Sequence, residues 1–210
     1  MPRLYTKLGT RNPKLETMNK NVGLFFGSFN PIHIGHLAIA NYMLAYTDME
    51  ELWFVVSPHN PFKEQRQMLP EAFRLQLVNI AIENHPSYRS CDLEFYMPKP
   101  SFTIDTLVRL TEMYPQQKFA LIMGSDNLEL FHQWKNSEAI IANFHRYIYP
   151  RPGTPPHLME HIPNATVVDA PLMDISSTFI RQAMADGKDV PFFLHEKVYH
   201  YMMNDELRNL

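Results

Sequence analysis

A doubly wound, Rossmann-like parallel α/β sheet, with helices on both faces and a small helical part at the C-terminus, is the fold that three features of this 210-residue sequence predict. Short apolar runs recur and end on small or turn residues: "VGLFFGS" (22–28), "ELWFVVSP" (51–58) and "QKFALIMGSD" (117–126). Strands covered on both faces of a parallel sheet are continuous and apolar in this way. Stretches with helical spacing lie between the runs, and such alternation favours parallel pairing through crossovers. Clusters of Gly, Ser, Asn, Asp and Pro follow the runs on their carboxyl side, where open α/β sheets bind ligands. Turn preference alone also places those residues there.

The elements follow in order. After the first run, His33 to Tyr46 has helical spacing, with Leu37, Ala40 and Leu44 as an apolar face. The second run is followed by a helix over 70–85, opened by Pro70 at a first-turn position and carrying Phe73, Leu77, Ile80 and Ala81. "YRSCDLEFY" (88–96) alternates as a strand does. "SFTIDTLVRLTEMYP" (101–115) is a helix ended by proline, and the 117–126 run is the next buried strand. After "NLELFHQW" and "NSEAIIANF" come "RYIYPRPG" (146–153) and "ATVVDAP" (165–171), then closing helices from Ser176 and His195. No internal repeat or low-complexity segment interrupts this order. The proline-rich piece 149–157 is a loop too short to separate domains.

Composition bounds the function. Hydrophobic residues make up 45% of the chain, enough for a packed core. The net charge of −3 gives a nucleic-acid partner no bulk electrostatic support. The lone cysteine, Cys91, rules out an intramolecular disulfide framework and fits a reducing compartment. No apolar stretch approaches the roughly 18–20 residues that span a bilayer, and the polar N-terminus lacks the apolar core of a signal peptide. The expectation is a cytoplasmic protein with no membrane partner. Residues 1–20 are read as a flexible extension, with Met18 as an alternative start, and 21–210 as a single domain. A homo-oligomer stays open, because buried and exposed aromatics cannot be told apart in a sequence.

"GSFNPIHIGHLAIA" (27–40) carries the first chemistry. Gly27 and Ser28 permit a tight turn, and Asn30-Pro31 feeds a helix. The amides of such a turn and the helix start make an anion site. His33 and His36 are three apart and share one helical face, where imidazoles can donate to phosphate oxygens. A zinc pair would need further ligands, and no Cys pair or HExxH pattern supplies them. Satisfied core histidines are the remaining reading, which the small-residue turn ahead of them weakens. Far downstream, "ISSTFIRQAM" (175–184) repeats the logic: Ser176 can cap a helix, Ser177 and Thr178 offer hydroxyls at its first turn, and Arg181 follows. Alone it is a good helix cap; with the histidine turn it suggests two anion clamps on one nucleotide.

An HxGH motif, here "HIGH" at 33–36, paired with "ISSTFIR" across most of the chain, resembles the nucleotidyltransferase superfamily that shares HxGH with class I tRNA synthetases. Within it the chain is most similar to bacterial nicotinate-mononucleotide adenylyltransferases, from about Asn21 to Met202. "GSFNPIHIGHL", "SPHNPFK", "SFTIDTL", "GSDNLELFHQW", "PRPG" and "ISSTFIR" carry the likeness in that order. The departures are mild: Gly-Ser-Phe-Asn replaces a common Gly-Thr-Phe-Asp, Phe102 stands where tyrosine is frequent, and Asn60 and Phe62 replace a frequent proline and histidine. A phosphopantetheine- or cytidylyl-type sister would lack "TIDTL" and the "GSD…W" block, and a synthetase would need a lysine-rich KMSKS-type loop. A non-catalytic nucleotide-sensing module would have lost His36 or Arg181, and this chain has both.

The resemblance implies transfer of the adenylyl group of ATP to nicotinate mononucleotide, giving deamido-NAD and pyrophosphate, with Mg²⁺ entering on ATP and no metal ligands from the chain. It implies that the amides of Gly27, Ser28 and Phe29, with His36 and, beside it, His33, hold the reacting phosphates. Ser176, Ser177 and Arg181 would bind the ATP phosphate chain, Arg181 also serving catalysis, and Lys63 would add a phosphate contact. Thr103, Thr106 and Gly124 would meet the pyridine nucleotide, Asp126 would accept from ribose hydroxyls, and Trp134 would stack on the pyridine ring. Asp105 is a first-turn acidic residue rather than a catalyst.

Overall fold

The computed structural model describes residues 19–58 and 68–203. Six strands, β1 (Asn21–Gly27), β2 (Glu51–Val56), β3 (Tyr88–Cys91), β4 (Lys118–Gly124), β5 (His145–Tyr149) and β6 (Ala165–Val167), form one sheet in the order β3-β2-β1-β4-β5-β6. Every pairing is parallel: Val22 faces Glu51 on one side of β1 and Phe119 on the other. The chain winds outward from β1 to β3, then crosses back to β4 and winds outward the other way. That reversal opens a crevice at the carboxyl ends of β1 and β4.

The strands read as continuous apolar runs because both faces are covered. All six residues of β2 are buried; Leu52, Phe54 and Val56 enter one core, Trp53 and Val55 the other. Helices α1 (Ile34–Tyr46), α2 (Glu71–Ile82), α5 (Ser177–Ala185) and α6 (Glu196–Met203) close the first core through Ile39, Leu77, Ile180 and Val198. Helices α3 (Thr103–Met113) and α4 (Ser137–Asn143) close the second through Leu107 and Ile140. Among the described residues no helix is long and apolar enough to cross a membrane. The N-terminal extension lies almost wholly outside the described residues.

Three local readings change. The predicted strand over 88–96 stops at Cys91, and Leu93–Tyr96 curls into a 3₁₀ turn. The curl carries Glu94 inward, to a place where hydroxyls meet it. In α1 the residues facing the core are Ile39, Ala40 and Met43, while Leu37 and Leu44 are only half-buried. That helix is apolar nearly all round, so periodicity cannot choose a face. In α2 the buried residues are Arg74, Leu77, Val78 and Ile82, with Phe73, Ile80 and Ala81 half-buried. The face is turned because a guanidinium occupies it. Charged residues are almost never fully buried without partners, so no sequence pattern announces one that is.

Candidate active site

The β1 tip is built around an unfavourable residue. Phe29 has φ +43°, in the left-handed region that bulky side chains rarely visit. Its ring folds back over Gly27, where a Cβ would meet ring carbons at 2.9–3.2 Å. Glycine at 27 is therefore what lets the Phe29 ring bury, 1% exposed, under the turn. The backbone of Ser28 is held from below by Arg74, itself 1% exposed. Arg74 Nη1 donates to the carbonyls of Ser28 (2.5 Å) and Ser57 (2.8 Å), Nη2 to Pro58 (3.0 Å) and Nε to Leu69 (3.0 Å). One buried cation thus ties the tips of β1 and β2 to the entry of α2. Burial draws its pKa below the ordinary arginine value, with the nearby Glu71 charge opposing.

His33 precedes α1 and His36 lies in its first turn. The rings stack at 3.7 Å with 28° between planes, and the His33 amide donates to His36 Nδ1 at 3.3 Å. Accepting at Nδ1 places the proton of the neutral ring on Nε2. Phe29 meets the His36 ring edge-on at 5.0 Å and Phe25 does so at 6.0 Å, so the imidazole is clamped on three sides.

Helix α5 closes onto this turn from the far end of the chain. Ser176 caps it, its Oγ accepting from the Phe179 amide at 3.1 Å. Ser177 Oγ donates to the Pro31 carbonyl at 3.0 Å, and Arg181 Nη1 to the Asn30 carbonyl at 2.8 Å. Arg181 Nε is buried with no hydrogen-bond partner among the described residues. Burial lowers the Arg181 pKa below the ordinary value, yet an arginine stays charged. The result is a cavity of about 510 Å³ with donors and cations on its walls. Gly27, Ser28, His33, His36, Ser176, Ser177 and Arg181 all line it, as the sequence reading requires. Arg151, which sequence reasoning passed over, joins them at the β5 tip. Its Nη1 donates to the Met173 carbonyl at 3.0 Å, and its amide donates to the buried Ser125 Oγ at 2.8 Å.

A second cavity of about 230 Å³ adjoins the first. Gly124, Thr103 and Trp134 line it, with Phe26 and Phe102 supplying apolar wall and Lys135 a cation. Trp134 packs against Phe131 at 5.1 Å, tilted 45°, and is half-buried. The two cavities share Phe25, Phe26, Gly27, Ser28, Asn127 and Tyr149, so they meet over the β1 tip. Burial raises the Tyr149 phenol to about 12, which keeps it a neutral wall.

Not every predicted residue reaches a cavity in the way the sequence suggested. Thr106 is fully buried and its hydroxyl donates to Glu94 Oε1 at 2.9 Å. Phe29, assigned through its amide alone, lines neither cavity and buries its ring in the core. Asp126 lines the cationic cavity rather than the apolar one, 3.8 Å from Arg151 Nε. Lys63, with Asn60 and Phe62, lies outside the described residues. Glu94 and Arg74, like Arg151, were missed by sequence reasoning, the first two because a buried charge has no periodic signature.

The donor set suits a polyphosphate: backbone amides, hydroxyls, two histidines and two arginines. Among the described residues no group of three or more His, Cys, Asp or Glu side chains could hold a metal ion.

Residues 24–183 match the model of the cytidylyltransferase-like family. A probable nicotinate-nucleotide adenylyltransferase of Bacteroides fragilis is 52% identical over 177 residues, covering 84% of this chain and 88% of the relative. One of Cytophaga hutchinsonii, named likewise, is 45% identical over 183 residues, covering 87% and 95%. Among solved structures, the nicotinic acid mononucleotide adenylyltransferase of Plasmodium falciparum complexed with NaAD superposes with a TM-score of 0.75, covering 91% of this chain and 98% of that one. At 19% identity this last likeness is one of fold alone.

Proposed function

The chain belongs to the nicotinate-nucleotide adenylyltransferases within the cytidylyltransferase-like family, and from that premise we propose how its residues divide the work. The reaction joins the adenylyl group of ATP to nicotinate mononucleotide, giving deamido-NAD and pyrophosphate, a step of NAD biosynthesis. The observation that supports the proposal most is the meeting of a donor-lined cationic cavity with an apolar one over the β1 tip. ATP phosphates belong in the first and the pyridine end of the mononucleotide in the second.

A phosphate oxygen of the mononucleotide attacks the α-phosphorus of ATP; a new P–O bond forms and the bond to pyrophosphate breaks. No protein nucleophile is required, so the chain contributes position and charge. His36 donates from Nε2 to the transferring phosphoryl group, with His33 holding it by stacking. The amides of Gly27, Ser28 and Phe29, Arg181 and the start of α5 with Ser176 and Ser177 hold the remaining phosphate oxygens. Lys63 is an additional phosphate ligand in this scheme. Mg²⁺ would enter with ATP and, when bound, would offset part of the phosphate charge, with Asp126 the carboxylate that lines this cavity. Trp134 stacks on the pyridine ring, while Thr103 and the amides at the start of α3 receive the nicotinate carboxylate. Asp126, half-exposed at the rim, accepts from a ribose hydroxyl. A cytoplasmic setting belongs to the same proposal and is supported by the chain's single cysteine, Cys91, which is buried.

Pyrophosphate release tests the reading directly. With ATP and Mg²⁺, nicotinate mononucleotide supports release and phosphopantetheine does not. Release with phosphopantetheine alone would sink it. The ratio of kcat/KM for the acid and amide mononucleotides then measures the acceptor preference.

A further inference from the structure

Glu94 has no task in the reaction above, yet its side chain is 2% exposed and borders the acceptor cavity. A buried carboxylate persists where hydrogen bonds replace its water. Here Ser101 Oγ donates to Oε2 at 2.9 Å and Thr106 Oγ1 to Oε1 at 2.9 Å. Ser57, at the β2 tip, donates as well. Burial pushes the Glu94 carboxyl above its ordinary pKa, and the three hydroxyls pull against that rise. The donors come from three places: the β2 tip, the loop before α3, and the first turn of α3.

The positions of two of those donors matter most. Ser101 and Thr106 flank Phe102 and Thr103, the residues that open α3 and face the cavity. Holding both leaves the helix start little freedom to shift or fray. A second tie acts from outside. Lys135 Nζ pairs with Asp105 at 2.8 Å and sits 4.8 Å above the Phe102 ring. The outer tie is solvent-exposed and weak; the inner one is buried.

We propose that Glu94 is a positioning residue for the acceptor: by holding Ser101 and Thr106 it sets the start of α3 against the cavity that takes the pyridine nucleotide. It rests on the adenylyl-transfer reading and adds to it the part that fixes acceptor affinity. The cationic cavity is walled by the β1 turn, α1 and α5, and the hydrogen bonds of Glu94 from Ser101 and Thr106 tie it to the other side of the sheet. A mutation at Glu94 should therefore separate the two substrates, which a general loss of stability would not do.

Steady-state kinetics on the full chain, varying each substrate in turn, provide the test. Glu94→Ala is expected to raise KM for nicotinate mononucleotide about tenfold or more and to leave KM for ATP within about twofold. Glu94→Gln keeps the shape and one acceptor oxygen and stays within about threefold of the wild type. Thr106→Val removes one donor at nearly constant volume, raises the same KM about threefold, and adds little on top of Glu94→Ala because the two act through one contact. Parallel rises in both KM values would overturn the proposal, as would an unchanged acceptor KM in folded Thr106→Val. If Glu94→Ala does not fold, Thr106→Val and Glu94→Gln decide the matter. A wild type that releases no pyrophosphate with nicotinate mononucleotide would instead remove the reaction reading, and this proposal with it. An active wild type whose variants are unaltered removes the positioning role alone.

Discussion

His36→Ala lowers kcat about 10²-fold or more and changes KM for either substrate only a few-fold. The reason lies in when the imidazole is needed. Charge on the transferring phosphoryl group is redistributed as the new bond forms, and a donor fixed in place beforehand stabilises that state without reorganising. The ring of His36 is fixed by a stack on His33 at 3.7 Å and by the edges of Phe25 and Phe29. The His33 amide at Nδ1 settles its tautomer. Ground-state ATP keeps the amides of the β1 turn, α5 and Arg181, so binding survives. A variant with normal kcat would remove His36 from the chemistry; one with a raised KM for ATP and intact kcat would make it a binding residue only. His33→Ala should show a smaller loss of the same kind, since it acts through the stack.

Arg74→Met destabilises the fold by about 3–5 kcal/mol, as breaking a buried charged network does. At roughly 2–4 °C per kcal/mol for a domain of this size, Tm falls by about 6–20 °C. The guanidinium satisfies carbonyls of Ser28, Ser57, Pro58 and Leu69. A methionine fills much of its volume but satisfies none of them, and each buried acceptor left bare costs about 1–3 kcal/mol. The four do not simply add, because the loops can relax toward water. An apolar replacement of a buried ion pair is often harmless because both partners change. Here the partners are main-chain atoms and cannot be changed. Arg74→Lys recovers under half of the loss, because an ammonium cannot fan out to four carbonyls. A fall in Tm below about 2 °C for Arg74→Met would refute this role.

These two residues show what a sequence can and cannot place at a cavity wall. His36 was legible because its motif is local: a turn of small residues, a proline and a helix start fall within ten positions of one strand end. The same holds for Ser176, Ser177 and Arg181, and for the β2 run, whose unbroken apolarity records cover on both faces. Arg74 was not legible, since its partners are carbonyls, which every residue has, spread from Ser28 to Leu69. Glu94 was hidden likewise within a stretch whose alternation reads as strand until the buried carboxylate bends it. Thr106 illustrates the opposite error. Its place in "SFTIDTL" was correct and its direction was not, because a helix of known position still has an unknown rotation until its packing is seen. Asp126 sits at the right loop but on the cationic side of the shared wall. Loop identity comes from order along the chain; which side of a wall a side chain faces comes only from three dimensions.

The common wall between the cavities has a consequence for inhibition. Phe25, Phe26, Gly27, Ser28, Asn127 and Tyr149 border both spaces, so under the proposed assignment a dinucleotide product would lie across them with one end in each. Either substrate, entering its own space, then excludes the whole product, and with substrates adding in either order the expected product inhibition is competitive against ATP and against the mononucleotide alike in initial-rate plots. A pattern competitive against only one would mean ordered addition of the substrates or a product seated in one space alone. Two weak fragments joined across the wall would hold each other at an effective concentration on the order of millimolar. A compound of modest size could in this way bind far more tightly than either half, and the short span over Gly27 and Ser28 sets the length of its linker.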